Sequence, residues 1–565
     1  MITHKFLVVI ETQRVKDYLF ASPVLRETRG ASLLLDELNR QDTERILKQC
    51  SGFKKIYLGG GSGRILFEER SVAQNFANQI RSQYQHKTFN ARVSVEVVPR
   101  DDNESIPAWM ARGVGESQKN KLGRIDAIPI IAGRWLRPCS SCGQLVAETD
   151  KSIIYYDNGR DAEPTDTHYL CASCYSKRDS IRRFYRHIKR NKGRYDPISG
   201  SKLRREHPNH VLTTLVNQMQ SYNTLLPQDL DQIGEESVPR NYIGFIYADG
   251  NRMGEIIKSM AGKYPDDDDA LEAYHAFSQI VDESTREAAA QAVYECVGYR
   301  DEKTRKQRPG RFIPAEFVLA GGDDLILIVP AQYAIDVTCR FIALFNQYTR
   351  EKQEQLCAAQ KLSQCFEPDG LTISAGIVIA HASYPASQLM ELAGDLMKLA
   401  KRKAADLART AKPAGTLDFM VLHSSGSESM KLRRKREYTK TLDGGLKVEL
   451  TERPYTVTEA KTLLDRIRAL KKSSVPRNKL KQLYPVLFQD VLPAQFNAQR
   501  IRERLEKTGD LSGASPMKTL VDELNCFPFR VDPQQPKHWT TNLTEIIELY
   551  DFVQDVQQLT GEPDD

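Results

Sequence analysis

The sequence has no long apolar run. Nothing in it approaches the roughly 18 residues a membrane-spanning helix needs, which excludes a helical membrane protein. It has little net charge, +6 over 565 residues, so total charge does not point to nucleic acid and only local clusters can. It shows no N-terminal signal of the secretory kind, because the apolar run at residues 6–10 is short and stops at Glu11. A disulfide framework is also missing. Ten cysteines, four of them in two Cys-x-x-Cys pairs, fit a reducing cytoplasmic setting with a metal site better. The remaining composition, 27% charged and 40% hydrophobic, is that of a globular chain too long for one core, and about three to five domains are expected.

Among the features present, Gly321-Gly322-Asp323-Asp324 is the most informative. Two β-forming runs, Phe317-Val-Leu-Ala and Leu325-Ile-Leu-Ile-Val, flank it, predicting a hairpin with acids at its tip. Adjacent carboxylates repel unless a cation or proton intervenes. A divalent ion carrying a nucleoside triphosphate, Mg²⁺ or Mn²⁺, is one reason for such a pair. A solvated Asp-rich turn is the other. Asp249 is the best third acid. It ends an apolar strand (242–248) and opens the loop Asp249-Gly250-Asn251-Arg252-Met253-Gly254, whose backbone N–H groups could face phosphates. Its plain alternative is an N-cap.

The chain reads as one motif used twice. Residues 6–10 followed by Glu11-Thr12-Gln13-Arg14 parallel residues 242–248 followed by Asp249-Gly250-Asn251-Arg252. Gly59-Gly60-Gly61-Ser62 stands where the later copy has its acidic hairpin, and strands at 91–98 and 371–379 close each copy. The early copy has lost its acids and cannot hold the same metals. After the final strand, residues 390–404 predict a helix offering Lys398, Lys401 and Arg402 to phosphate or simply to solvent.

Between the copies, Cys139-Ser-Ser-Cys142 and Cys171-Ala-Ser-Cys174 have the spacing of a tetrahedral structural Zn²⁺ site, with redox dithiols as the competing reading. A basic run follows at 182–205. Arg182, Arg183, Arg186, Lys189 and Arg190, candidate nucleic-acid contacts, are interleaved with Phe184 and Tyr185, which suits phosphate contact plus base stacking or a solvated helix. A second basic run, 431–440, is weaker. The acidic run 266–269 is expected to cap the next helix. Past about 425 the pattern turns helical, with amphipathic helices at 456–471, after 474, and at 542–557.

Taken together, the duplicated palm, the acidic hairpin, the cysteine-bearing insert and the helical C-terminal part resemble the large polymerase/cyclase subunit of type III CRISPR effector complexes (Cmr or Csm type). Thr12-Gln13-Arg14-Val15-Lys16-Asp17-Tyr18, Ile373-Ser374-Ala375-Gly376 and Val475-Pro476-Arg477-Asn478-Lys479-Leu480 carry the resemblance in the expected order. It implies an α/β (α+β) architecture. Residues 1–115 would be a degenerate ferredoxin-like palm and 116–238 a zinc-binding, basic helical domain. Residues 239–425 would be the catalytic palm and 426–565 a C-terminal helical domain. It also implies a nucleotidyltransferase that joins ATP into cyclic oligoadenylates when a crRNA-guided complex binds target RNA. Asp249, Asp323 and Asp324 would hold Mg²⁺, and Gly250, Asn251, Arg252, Met253, Gly254, Gly321, Gly322, Ser374 and Lys401 would border the nucleotide.

The implied partners are crRNA and target RNA, reached through other effector subunits including the small backbone subunit. A free homodimer is a further arrangement. Many such subunits begin with a His-Asp nuclease domain. No His-Asp dipeptide occurs here, so no such DNase activity is expected. Two other readings are carried forward. One is a diguanylate-cyclase-like enzyme, although those usually have Glu-Phe where this chain has Asp324-Leu325. The other is a non-catalytic RNA- and subunit-binding scaffold.

Overall fold

The computed structural model describes residues 4–123, 136–148, 152–155, 166–182, 196–208, 210–218, 223–264, 266–298, 313–422, 434–442, 445–472, 477–507, 509, 511 and 515–554. Near the N-terminus, β1 (Phe6–Gln13), β2 (Phe53–Gly59), β3 (Ser62–Phe67) and β4 (Arg92–Pro99) form an antiparallel sheet of order β2-β3-β1-β4. The central strand β1 is apolar at every position from Leu7 to Ile10 because both faces are covered. Leu7 and Val9 share a core with Trp109 and Met110, while Val8 and Ile10 meet Phe76 and Ile80. This is the first palm.

The cysteine-bearing insert adds two hairpins, β5 (Ser152–Tyr155) with β6 (Asp166–Tyr169) and β7 (Asp196–Ser199) with β8 (Asn223–Leu226). Helices Ala172–Arg182, Gly200–Glu206 and Val211–Gln218 lie between and beside them.

The second palm repeats the first. Strands β9 (Tyr242–Gly250), β10 (Glu316–Gly321), β11 (Asp324–Pro330) and β12 (Ile373–His381) stand in the order β10-β11-β9-β12. β13 (Thr416–Val421) adds parallel to β12. The copies agree in detail. Glu11 faces Ser62 across β1–β3 as Asp249 faces Asp324 across β9–β11. Each hairpin carries a register shift at the same distance before its turn, between Lys55 and Tyr57 and between Phe317 and Leu319. Arg14 (φ 48°) and Arg252 (φ 57°) both adopt the left-handed conformation just before the next helix. The alignment read from sequence is the register observed.

The C-terminal part differs from an all-helical expectation. Helices Val457–Lys472, Arg477–Leu487, Val491–Lys507, Pro516–Glu523 and Leu543–Leu549 are present. They accompany a four-stranded sheet in which β14 (Thr439–Leu442) pairs with β15 (Leu446–Glu449). β16 (Tyr455–Thr456) instead extends the second palm's sheet beyond β13, and β17 (Arg530–Asp532) and β18 (Gln535–Thr540) complete the C-terminal one. These strands are short and polar, so no alternation marked them. Part of the basic run 431–440 is structural here. Arg434 is ion-paired with buried Asp418, and Lys440 Nζ donates to the carbonyls of Phe488 and Gln489 at 2.6 and 2.8 Å. Asp266 caps helix Asp267–Cys296 as expected, its carboxylate accepting from Asp268 and Asp269 N–H.

A buried ion pair locks one palm to the other. Arg29 on helix Leu25–Asp36 donates from Nε to both oxygens of Glu316 on β10 at 3.0 and 3.1 Å, each side chain 1% exposed. Burial pushes the Glu316 carboxyl upward, and the Arg29 charge opposes that shift. Arg29→Met should therefore cost about 3–5 kcal/mol in chemical denaturation, by stranding a buried carboxylate. Arg29→Met/Glu316→Leu should recover most of it.

Candidate active site

The hairpin between β10 and β11 turns on Gly322 and Asp323, with Gly321 paired to Asp324. Gly322 takes φ +60°, where glycine has no Cβ penalty. β11 runs beside β9 so that Asp324 lies opposite Asp249, and β12 lies on the other side of β9 with Ser374 opposite Asp249. The sheet thus brings together the three acids that the sequence separates by some 75 residues. All three are half-buried.

Their charges are only partly met. Lys401 Nζ, from helix Ala386–Thr410, pairs with Asp249 Oδ2 at 2.7 Å. The Tyr247 hydroxyl donates to Asp324 Oδ1 at 3.1 Å, and Lys16 of the first palm donates to that hydroxyl while lying 3.8 Å over its ring. Burial, then the neighbouring Asp249 and Asp324 charges, push the Asp323 carboxyl up to about 7. Asp324 is raised by burial and by Asp249. Burial lowers Lys16, opposed by Asp324 and Asp249. Three carboxylates with an excess of negative charge are a hard-oxygen donor set that fits Mg²⁺. In this arrangement Asp249 is drawn to Lys401 and Asp324 to Tyr247, so the three do not converge on one point.

The remaining predicted residues divide into two groups. Gly250 leaves the room that Met253 Cε and Asp323 Cβ fill, 2.3 and 2.8 Å from where its Cβ would stand. Gly254 is open, and Arg252 is paired with Glu255 at 2.7 Å. Asn251 and Ser374 face inward. Ser374, 0% exposed, donates to Asn251 Oδ1 at 2.7 Å, and Asn251 bonds Thr372 through its amide and its side chain. A surface contact between nucleotide and Ser374 therefore does not match its position. It shapes the loop from beneath. Lys398 is paired with Asp395 at 3.1 Å.

Beside the acids lies a cavity of about 590 Å³ between the palms, lined by Gly59, Gly60 and Ser62 on one side and Met253, Gly322 and Asp323 on the other. The two turns touch here. A Cβ on Gly60 would stand 2.7 Å from Gly322 Cα. The roles of Lys16, Tyr247, Arg40 and Asp282 escaped the sequence reading, because they reach the site from four separate segments.

The four cysteines meet as predicted. The Sγ atoms of Cys139, Cys142, Cys171 and Cys174 all lie within 4.8 Å of one another, the one such metal-competent group among the described residues. Hydrogen bonds from Cys142, Cys171 and Cys174 draw Cys139 far below the thiol range, and those with Cys139, Cys142 and Cys171 drive Cys174 above it. The donor set fits Zn²⁺ with no open position. The knuckle is fastened to the first palm: Ser141 and Arg178 bond the buried Glu27 at 2.5 and 2.8 Å, and Lys177 donates to Tyr18 O at 2.6 Å. Of the basic candidates, Arg182 is exposed at the end of its helix, and Arg183, Arg186, Lys189 and Arg190 lie outside the described residues.

The acidic hairpin and the strand end bearing Asp249 thus stand side by side on one palm sheet. Residues 242–408 match the family described as Cas10/Cmr2, second palm domain. The whole fold is similar to solved structures of the Csm1–Csm4 cassette. With cA4 bound, the matched chain is 14% identical with a TM-score of 0.51, covering 99% of this chain and 70% of its own. The apo cassette, at 13% identity, and the Csm1–Csm4 subcomplex of the type III-A CRISPR-Csm interference complex, also at 13%, give the same TM-score and coverage. No curated protein matches the chain. Its second palm thus matches the Cas10/Cmr2 family model, and the fold as a whole resembles that of the Csm1–Csm4 cassette structures. Among the described residues no helix is long and apolar enough to cross a membrane.

Two outcomes follow from the site. Removing zinc with a strong chelator should unfold the insert and loosen the first palm, seen as faster proteolysis within 136–182 and loss of one equivalent of zinc by elemental analysis. Asp323 also has a pH signature. Its folded-state pKa is raised above the unfolded value, so the metal-free protein loses stability as pH rises from about 4 to about 7. Asp323→Asn should then melt higher than the wild type at pH 8 without metal, with the difference vanishing near pH 4.

Proposed function

We propose that this chain is a divalent-metal-dependent nucleotidyltransferase that joins ATP into cyclic oligoadenylates within an RNA-guided type III CRISPR effector complex, acting when target RNA is bound. The observation that carries this reading is the intact Gly-Gly-Asp-Asp turn facing a cavity whose far wall is the eroded turn of the first palm. Of the solved structures with this fold, some hold cA4, cA3 or ATP, which supports adenine nucleotides as the substrate class.

Asp249, Asp323 and Asp324 would hold the cation, which when bound lowers the pKa of an attacking hydroxyl and neutralises charge on the leaving pyrophosphate. Lys401 stands beside Asp249, where a triphosphate needs a counter-charge. Gly321 and Gly322 put no side chain over the turn, and Gly250 leaves room for Met253 and Asp323. The first palm's turn, with Gly61 and Ser62 in place of the acids, suits a second nucleotide whose ribose hydroxyl attacks the α-phosphate of the first. The basic insert, beginning at Arg182, would face RNA, and other effector subunits would complete the complex.

The test is product identification. The chain, alone and assembled with guide and target RNA, is incubated with Mg²⁺ and each NTP, and products are read by mass spectrometry. Cyclic oligoadenylate is expected, falling by at least about 10²-fold in Asp323→Ala/Asp324→Ala. Cyclic diguanylate would replace this reading with a diguanylate-cyclase one, and absence of any product would favour the scaffold.

A further inference from the structure

Gly322 is held by a helix that no motif connects to it. Asp282, in the middle of helix Asp267–Cys296 and 7% exposed, accepts the Gly322 N–H on Oδ1 at 3.0 Å. One turn on, Thr285 Oγ1 donates to Gly322 O at 2.7 Å. Both polar backbone groups of the turn residue before Asp323 thus have side-chain partners on this helix, the Thr285 hydroxyl also lying 2.9 Å from Val281 O.

Asp282 is in turn gripped from the other palm. Arg40 Nη2 donates to both of its oxygens at 2.8 Å, and Arg286 Nη2 donates to Oδ2 at 2.9 Å. Arg40 lies in a π-helical segment, Glu37–Asp42, of the first palm, and its Nε is anchored on Asp36 Oδ1 at 2.9 Å. Such segments re-aim side chains and recur at functional sites. The same guanidinium lies 3.2 Å from where a Cβ of Gly59 would be, so it touches the eroded turn while holding the anchor of the intact one. His207 of the insert continues the ladder, 3.4 Å from Asp36.

We propose that Asp282 and Arg40 are positioning residues for the acidic turn. They form an ion pair across the two palms that sets where Gly322, and with it Asp323, stands, so the metal-binding acids are ordered only when the first palm is docked. Both line the cavity beside the turn, and the role assigned to each is exerted through the Gly322 peptide. The activity part of this inference rests on the proposed cyclase function, but the metal-binding part does not.

The experiment is Mn²⁺ titration followed by electron paramagnetic resonance on the full chain without nucleotide, for wild type, Asp282→Asn, Arg40→Met, Arg40→Lys and Thr285→Val. Melting temperatures are measured alongside, and kcat and KM for ATP in the assembled complex. Asp282→Asn and Arg40→Met should weaken Mn²⁺ binding about tenfold or more, the range seen when groups that orient metal ligands are lost, and lower kcat more than they raise KM. Arg40→Lys should recover part of both. Unchanged Mn²⁺ affinity and kcat beside a lowered melting temperature would make the pair merely structural and overturn the proposal. Should the ion-pair variants fail to fold, Thr285→Val removes one bond to the same turn and must weaken Mn²⁺ binding; no change in it overturns the proposal as well. A wild type that binds Mn²⁺ but makes no cyclic product sinks the cyclase reading and leaves the Mn²⁺ comparison decisive. A wild type that binds no Mn²⁺ overturns both.

Discussion

Two glycine turns, one from each palm, press against one another, and the rest of the molecule is arranged around that contact. Gly60 and Gly322 approach so closely that a single Cβ on Gly60 would fall within 2.7 Å of its partner's backbone. Sheets normally meet face to face at about 10 Å, with side chains between them. Here they meet at their tips with nothing between, which is open only to residues without side chains. The cavity beside the acids exists because the two turns touch at one edge and diverge from it.

Because the palms share strand order, register and bulge position, their differences are informative. In the second palm Asp249 and Asp324 face each other, and Lys401 and the Tyr247 hydroxyl compensate them from the edges. In the first, Glu11 remains, but Ser62 replaces the facing acid, and Arg64 and Ser117 bond the Glu11 carboxylate, each at 3.1 Å. One copy retains unmet negative charge, and the other has satisfied it internally. A site poised for a cation and a site settled without one are built on the same backbone.

The cysteine knuckle of the insert buries little apolar surface. Its cysteine cluster is a small core of its own, Cys139, Leu170, Cys171 and Cys174 with few neighbours. A unit that buries so little apolar surface needs a staple, and four converging thiols are suited to zinc. Through Glu27 the knuckle is tied to helix Leu25–Asp36, the same helix that sends Arg29 to Glu316 and Asp36 to Arg40. Insert, first palm and acidic turn are therefore linked by one helix and a short series of buried charges.

Much of this was written locally in the chain. Apolar runs flanking a glycine-acid turn specify a hairpin, and two Cys-x-x-Cys pairs specify a knuckle. The pairing of Glu11 with Asp249 and of the Gly61-Ser62 pair with Asp323-Asp324 followed from order along the sequence, because strand periodicity and turn chemistry act over a few residues. The inward-facing Ser374, the C-terminal sheet, and the roles of Lys16, Arg40, Tyr247 and Asp282 were not legible there. Arg40 and Asp282 are 242 residues apart, and nothing in their neighbours marks a bond between them. Such contacts depend on how two finished surfaces fit, and that fit is decided by burial and charge across the whole palm interface. The sequence alone determined that an acidic turn and its eroded twin exist; tertiary packing alone placed one against the other and chose the side chains that hold them.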